Sequence, residues 1–147
     1  METLQMDNGI REYRINASGI LRFNPSDPNV YARFLEAEEK IAGMEQELLE
    51  QAQQVTGEMT GSTTVRLLAK TDARLKELLG WVFGEENDFD RILGGVNLLA
   101  VAGNGERVIT NLFAALAPVL TAGAEQCARQ TAAAATAKAE ARRAKQG

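Results

Sequence analysis

The side chains best suited to chemistry are sparse in this sequence. Its 147 residues include no histidine and one cysteine, Cys127. Without an imidazole, Ser–His triads, HExxH zinc sites and histidine general bases are all excluded. Ser18, Ser26 and Ser62 therefore have no histidine partner, and Cys127 lies among alanines with no evident activating group. A lone cysteine also excludes an intrachain disulfide and agrees with a reducing compartment.

The acidic cluster Glu85, Glu86, Asp88 and Asp90 suggests calcium, but it lacks the alternating carboxylates, central glycine and terminal glutamate of an EF-hand loop. Asn87 or Asp88 reads better as the cap of a short helix. GNGERV, starting at Gly103, is superficially like a phosphate-binding loop yet fits neither GxGxxG nor GxxxxGK[ST]. Carboxylates are plentiful elsewhere, but abundance does not supply a pocket or a nucleophile geometry. The expectation is a non-enzymatic protein with no catalytic, metal or cofactor-binding residues, acting through contacts with other proteins.

Composition sets the frame for the elements. The length suits one domain burying about two-thirds of its extended surface. The hydrophobic fraction of 45% against 5% aromatic calls for an aliphatic helical core. No stretch approaches the roughly 20 apolar residues of a membrane span, and METLQMDNG is unlike a signal peptide, so a cytoplasmic protein with no membrane partner is expected. Net charge is −4, divided as +3 on residues 131–147 and −7 on the rest. The acidic body argues against a specific nucleic-acid surface; the cationic tail complements a helix C-terminus.

Leu21 and Phe23 alternate with Ile20, Arg22 and Asn24, as in a strand with one buried face. Tyr13 and Ile15, followed by the turn residues Asn16-Ala17-Ser18-Gly19, add a second strand, predicting a hairpin over 10–24. Pro25-Ser26-Asp27-Pro28 then breaks the chain, with Asp27 as N-cap and Pro28 at the first helical position.

A first long helix over 28–55 follows, with Phe34, Ala37, Ile41, Met44, Leu48 and Val55 in a seven-residue rhythm broken at Gln51. Tyr31, Leu35 and Leu49 widen this seam, while Glu36, Glu38, Glu39, Glu45, Glu47 and Glu50 make the rest acidic. The seam suits either another chain or this domain's own helices, and fewer than four clean repeats favour the latter.

TGEMTGST, residues 56–63, reads as a flexible connection. A second helix from about Thr64 to Phe83 carries Leu67, Leu68, Leu75, Leu78, Leu79 and Val82 on its apolar side. Trp81 near its end is either a binding anchor or core. Phe89, Ile92, Leu93 and Val96 point to the core. VNLLAVA, from Val96, and the segment after Gly105 read as two buried helices divided by the glycine turn. Ile109, Leu112, Phe113, Leu116, Val119 or Leu120, Gly123 and Cys127 share a face of the last, which Pro118 should kink or bound. The units expected are one domain over 1–130, with its helical remainder at 64–130, and an Ala/Lys/Arg-rich tail over 131–147 that either extends as helix or frays. The fold class is α+β, mostly helical: an N-terminal β-hairpin followed by a bundle of about four or five helices.

RFNPSDPNVYARF at the hairpin–helix junction, the acidic helical body and the Ala/Lys/Arg-rich end give an arrangement that resembles the small tail-assembly chaperones of long-tailed bacteriophages and prophages. The resemblance covers most of the chain and is architectural, with no diagnostic catalytic motif. It implies a protein of the host cytoplasm that covers the tape-measure protein before the tail tube polymerises. It also implies a second, longer form made by frameshifting near the C-terminus. The alternative is a structural tail or connector subunit using the hairpin to join its neighbours; a compact cytosolic enzyme is a distant third. The expected partner is a protein, tape-measure or tail-tube, alongside homo-oligomerisation through the hairpin edge or the Phe34, Ile41, Leu48 seam. The interaction candidates are Tyr13, Ile15, Leu21, Phe23, Phe34, Ile41, Leu48 and Trp81.

Overall fold

The computed structural model describes residues 1–17, 19–54 and 61–146. Ser18 of the expected turn, Val55 of the seam and residues 56–60 of the expected connection lie outside the described residues, while Gly61, Ser62 and Thr63 of that connection belong to a helix. Strands β1 (Arg11–Ile15) and β2 (Gly19–Phe23) pair antiparallel, with Arg11 opposite Phe23, Tyr13 opposite Leu21 and Ile15 opposite Gly19. Asn16, one of the few residue types tolerant of a left-handed backbone, opens the turn at φ 55°. Four helices follow among the described residues: α1 (Pro28–Gln54), α2 (Gly61–Phe83), α3 (Phe89–Ile92) and α4 (Val108–Gln146). The fold is α+β and mostly helical.

Asp27 caps α1 as its type predicts. Its Oδ1 accepts the Asn29 N–H at 2.9 Å, and its carbonyl accepts from Val30 at 3.1 Å. The corner before it is tied by Asn24, whose Oδ1 accepts from the Ser26 N–H (2.9 Å) and hydroxyl (3.0 Å). This corner seats α4: a Cβ at Gly123 would fall on the Pro25 carbonyl, so only glycine lets the helix approach so closely.

The hairpin is too small to stand alone, and its inner face closes one continuous core. Leu21 and Phe23 join Val30, Phe34, Ala37 and Ile41 of α1, Leu75, Leu79, Val82 and Phe83 of α2, Phe89 and Ile92 of α3, and Ile109, Leu112, Leu116 and Leu120 of α4. Aromatic contacts run through it: Tyr13 stacks on Phe23 at 5.1 Å, Phe23 meets Phe83 edge-on at 4.9 Å, and Phe83 lies 5.7 Å from Phe89.

Several expectations change. VNLLAVA is not a helix, although Leu98 and Leu99 are buried. Gly94 and Gly95 end α3 at φ 65° and 79°, and side-chain acceptors take the next amides: Asp72 Oδ1 that of Leu98, Asn97 Oδ1 that of Leu99, both at 2.7 Å. The Leu98 and Ala100 carbonyls then accept the Ile109 and Val108 N–H groups at 2.9 Å, so this loop caps α4. Val96, expected in the core, is exposed.

Pro118 does not bound a helix. It sits on an exposed face of α4, which continues through it for 39 residues, about 58 Å at a helical rise of ~1.5 Å per residue. The basic tail extends as helix, one of the two outcomes expected of it, and the side chains from Ala128 to Gln146 are exposed. Finally, α4 does contain an 18-residue window with mean hydropathy 1.4, so by length and composition it is apolar enough to cross a membrane. Ile109, Leu112, Leu116 and Leu120 of the same helix are committed to the core.

Candidate functional site

Four of the expected interaction residues are interior. Leu21, Phe23, Phe34 and Ile41 are buried, and the Phe34 ring meets Phe113 of α4 edge-on at 5.3 Å. At Phe34 and Ile41 the seam is therefore not an open face: there its period recorded burial against this chain's own helices. Tyr13, Ile15 and Leu48 are half-buried against the core, and Trp81 is 41% exposed.

Trp81 lies beside an open groove of about 310 Å³ between α1 and α2, lined with Lys40, Met44, Arg74, Glu77 and Leu78. The Lys40 ammonium sits 4.6 Å from the Trp81 ring centroid, a cation–π contact across the two helices. Arg33 donates from Nε to the Val82 carbonyl at 3.0 Å, and Arg74 meets Glu47 at 3.3 Å, so both ends of the groove are cross-tied. Towards the far end of the α1–α2 pair the core gives out. Met44, Leu48 and Leu68 are half-buried, while Leu49 and Val65 are 59% and 64% exposed. Leu49 and Val65 went unnamed as interaction residues because the helical period assigns them the same way whether the stripe is covered or bare.

The hairpin offers a second surface, and its two edges differ. Asn87, only 4% exposed, closes the β2 edge: its Oδ1 accepts the Arg22 N–H at 2.9 Å and its Nδ2 donates to the Arg22 carbonyl at 2.8 Å, as a neighbouring strand would. The second Nδ2 proton goes to the Phe83 carbonyl at 3.0 Å. Asp88 is the helix cap, accepting from Asp90 and Arg91 at 3.1 and 3.3 Å. Nothing local distinguishes Asn87 as a strand substitute, since Arg22 lies 65 residues away. At the start of β2, a Cβ on Gly19 would fall on the Ile92 carbonyl, so α3 covers that end.

The acidic cluster does not converge on a cation. Asp90 Oδ1 instead accepts from Lys76 Nζ at 2.6 Å, joined by Asp72 Oδ2 at 2.8 Å. Burial alone would lower the Lys76 pKa, but hydrogen bonds and charge from Asp72 and Asp90 outweigh it and hold the ammonium above its ordinary value. A lysine so held stays charged and is a poor nucleophile or base; it ties α2 to α3, while Asp72 holds the loop through Leu98. Among the described residues no group of three or more His, Cys, Asp or Glu side chains is placed to hold a metal ion. GNGERV is the turn beside the Val101–Arg107 bridge, its Asn104 Oδ1 accepting the Glu106 N–H at 3.1 Å. Comparison with protein-family models, curated proteins and solved structures finds no match for this chain.

Proposed function

We propose that this chain is a non-enzymatic assembly protein of a bacteriophage or prophage, a tail-assembly chaperone that covers apolar helical stretches of the tape-measure protein in the host cytoplasm. The observation that carries the reading is the bare apolar end of the α1–α2 pair, where Leu49 and Val65 stand exposed beside half-buried Met44, Leu48 and Leu68. An amphipathic partner helix would lay its stripe along this surface. The exposed carboxylates Glu45, Glu47 and Glu50 on the same stretch of α1 would keep the covered complex soluble.

Co-expression with an aggregation-prone tape-measure fragment tests it. Wild-type protein should hold the fragment in solution, and Leu49→Glu with Val65→Glu should lose that ability while staying folded, because both side chains already face water. A fragment that precipitates equally with and without the wild-type protein defeats the reading. The outer edge of β1, where no described group bonds the Glu12 or Arg14 backbone, favours a second reading, a structural tail or connector subunit. Presence in mature particles would support that role, and presence only during assembly the chaperone.

A further inference from the structure

We propose that β1 is a homodimerisation strand, pairing antiparallel with β1 of a second copy about a two-fold axis at Tyr13. The hydrogen-bond pattern of the hairpin decides which backbone groups are available. In an antiparallel ladder, residues alternate between pairs that bond to each other and pairs whose N–H and C=O groups point away. Arg22 directs both of its groups away from β1, to Asn87, so its partner Glu12 must direct its own to the opposite, outer side of β1. Arg14, two residues on, does the same. The outer edge is thus an uninterrupted strand without bulge or proline, and no described backbone or side-chain group bonds the Glu12 or Arg14 amides. The asymmetry is specific: a buried side chain bonds the backbone of one edge and, among the described residues, no group bonds that of the other, although open edges invite pairing.

Charge selects both the occupant and the register. With the axis at Tyr13, the outward pairs are Glu12 opposite Arg14 of the second copy, and Arg14 opposite Glu12 of the second copy. Each would exchange both backbone hydrogen bonds under an opposite-charge side-chain pair. A slip of the partner by two residues either way sets Glu12 against Glu12 or Arg14 against Arg14. A slip by one faces outward-directed amides with inward-directed ones. Glu12 already meets Arg22 at 3.3 Å on the solvent face, so the dimer would extend a row of alternating charge across the joined sheet. On the inner face the two Tyr13 rings would meet as a non-hydrogen-bonded pair, continuing the Tyr13–Phe23–Phe83 contacts from one copy into the next. Such a contact is isologous and closes at two copies. It stands independently of the chaperone reading, which concerns the far end of α1–α2.

Sedimentation of purified protein over a wide concentration range is the test. Wild type should be a dimer in equilibrium with monomer. Arg14→Glu, which leaves the Glu12–Arg22 pair intact, should weaken dimerisation about tenfold or more, as should Glu12→Arg. An equimolar mixture of these two variants should restore the dimer, because each then supplies the other's complement. Tyr13→Cys in a Cys127→Ser background should cross-link on oxidation, whereas Glu12→Cys and Arg14→Cys, which do not face themselves in this register, should not. A wild-type monomer at every concentration overturns the proposal and leaves the edge to an extended segment of another protein. A dimer unaffected by the charge reversals, or cross-linked equally well from all three positions, overturns it too.

Discussion

Replacing Asn87 by alanine should be one of the most damaging single changes available in this chain, although the residue sits in a short loop. Its amide makes three hydrogen bonds, at 2.9 and 2.8 Å to Arg22 and 3.0 Å to Phe83, and they join the hairpin to the end of α2. An ordinary hydrogen bond contributes about 1 kcal/mol net, and a buried group left without a partner costs ~1–3 kcal/mol. Water would reach part of the vacated space, so the expected loss is about 2–4 kcal/mol. At ~3 °C per kcal/mol for a domain of this size, the melting temperature should fall by about 6–12 °C. Urea unfolding followed by circular dichroism measures it, with the slope unchanged if the transition stays two-state. A loss below ~0.5 kcal/mol at constant slope would refute the clamp. Asn87→Asp sharpens the test. The new carboxylate keeps an acceptor for the Arg22 N–H but confronts two carbonyls with no donor, which raises its folded-state pKa above the unfolded value. Its protonated form is therefore the stabilising one. The deficit against wild type should be smallest below about pH 4 and grow as pH rises through the folded pKa.

Asp27→Ala removes the side-chain bond to the Asn29 N–H and should lower stability by about 1 kcal/mol; an unchanged urea midpoint and slope would count against the cap. Gly123→Ala gains roughly 1 kcal/mol of helix propensity but drives a methyl group into the Pro25 carbonyl, so a net loss of about 1–3 kcal/mol is expected by thermal melting; a stabilised variant would show that α4 does not depend on the corner. Lys76→Met strands Asp72 in a largely buried position and should cost about 3 kcal/mol. Because the folded pKa of Lys76 is raised, its ion pairs stabilise fully below the unfolded value near 10.5 and are lost as pH climbs through the higher folded one. Wild-type stability should accordingly fall more steeply than that of Lys76→Met over this alkaline range, and parallel curves would contradict the assignment.

Features governed by neighbours in sequence were legible without coordinates. The alternation of Leu21 and Phe23 with Ile20 and Arg22, the Asp27-Pro28 helix start, and the helical repeat of α1, α2 and the core-facing part of α4 all express local geometry; both strands and all three helices are found, α2 starting at Gly61, a few residues inside the expected connection. The interaction surface was much less legible. A hydrophobic period says that a face is covered, not what covers it, and Phe34 and Ile41 prove to be covered by this chain. VNLLAVA was misread for a related reason: a short apolar run buried as loop has the composition of one buried as helix, and the acceptor that claims the Leu98 amide, Asp72, lies 26 residues away. Asn87 at Arg22 and Gly123 at Pro25 are likewise pairings of distant segments. The hairpin, the long helices, the corner and the charge division could be read from the chain alone, because these follow from backbone preferences and side-chain type over a few residues. Which edge of the hairpin is closed and which apolar residues stay bare emerge with the fold, because both depend on how remote segments meet in space.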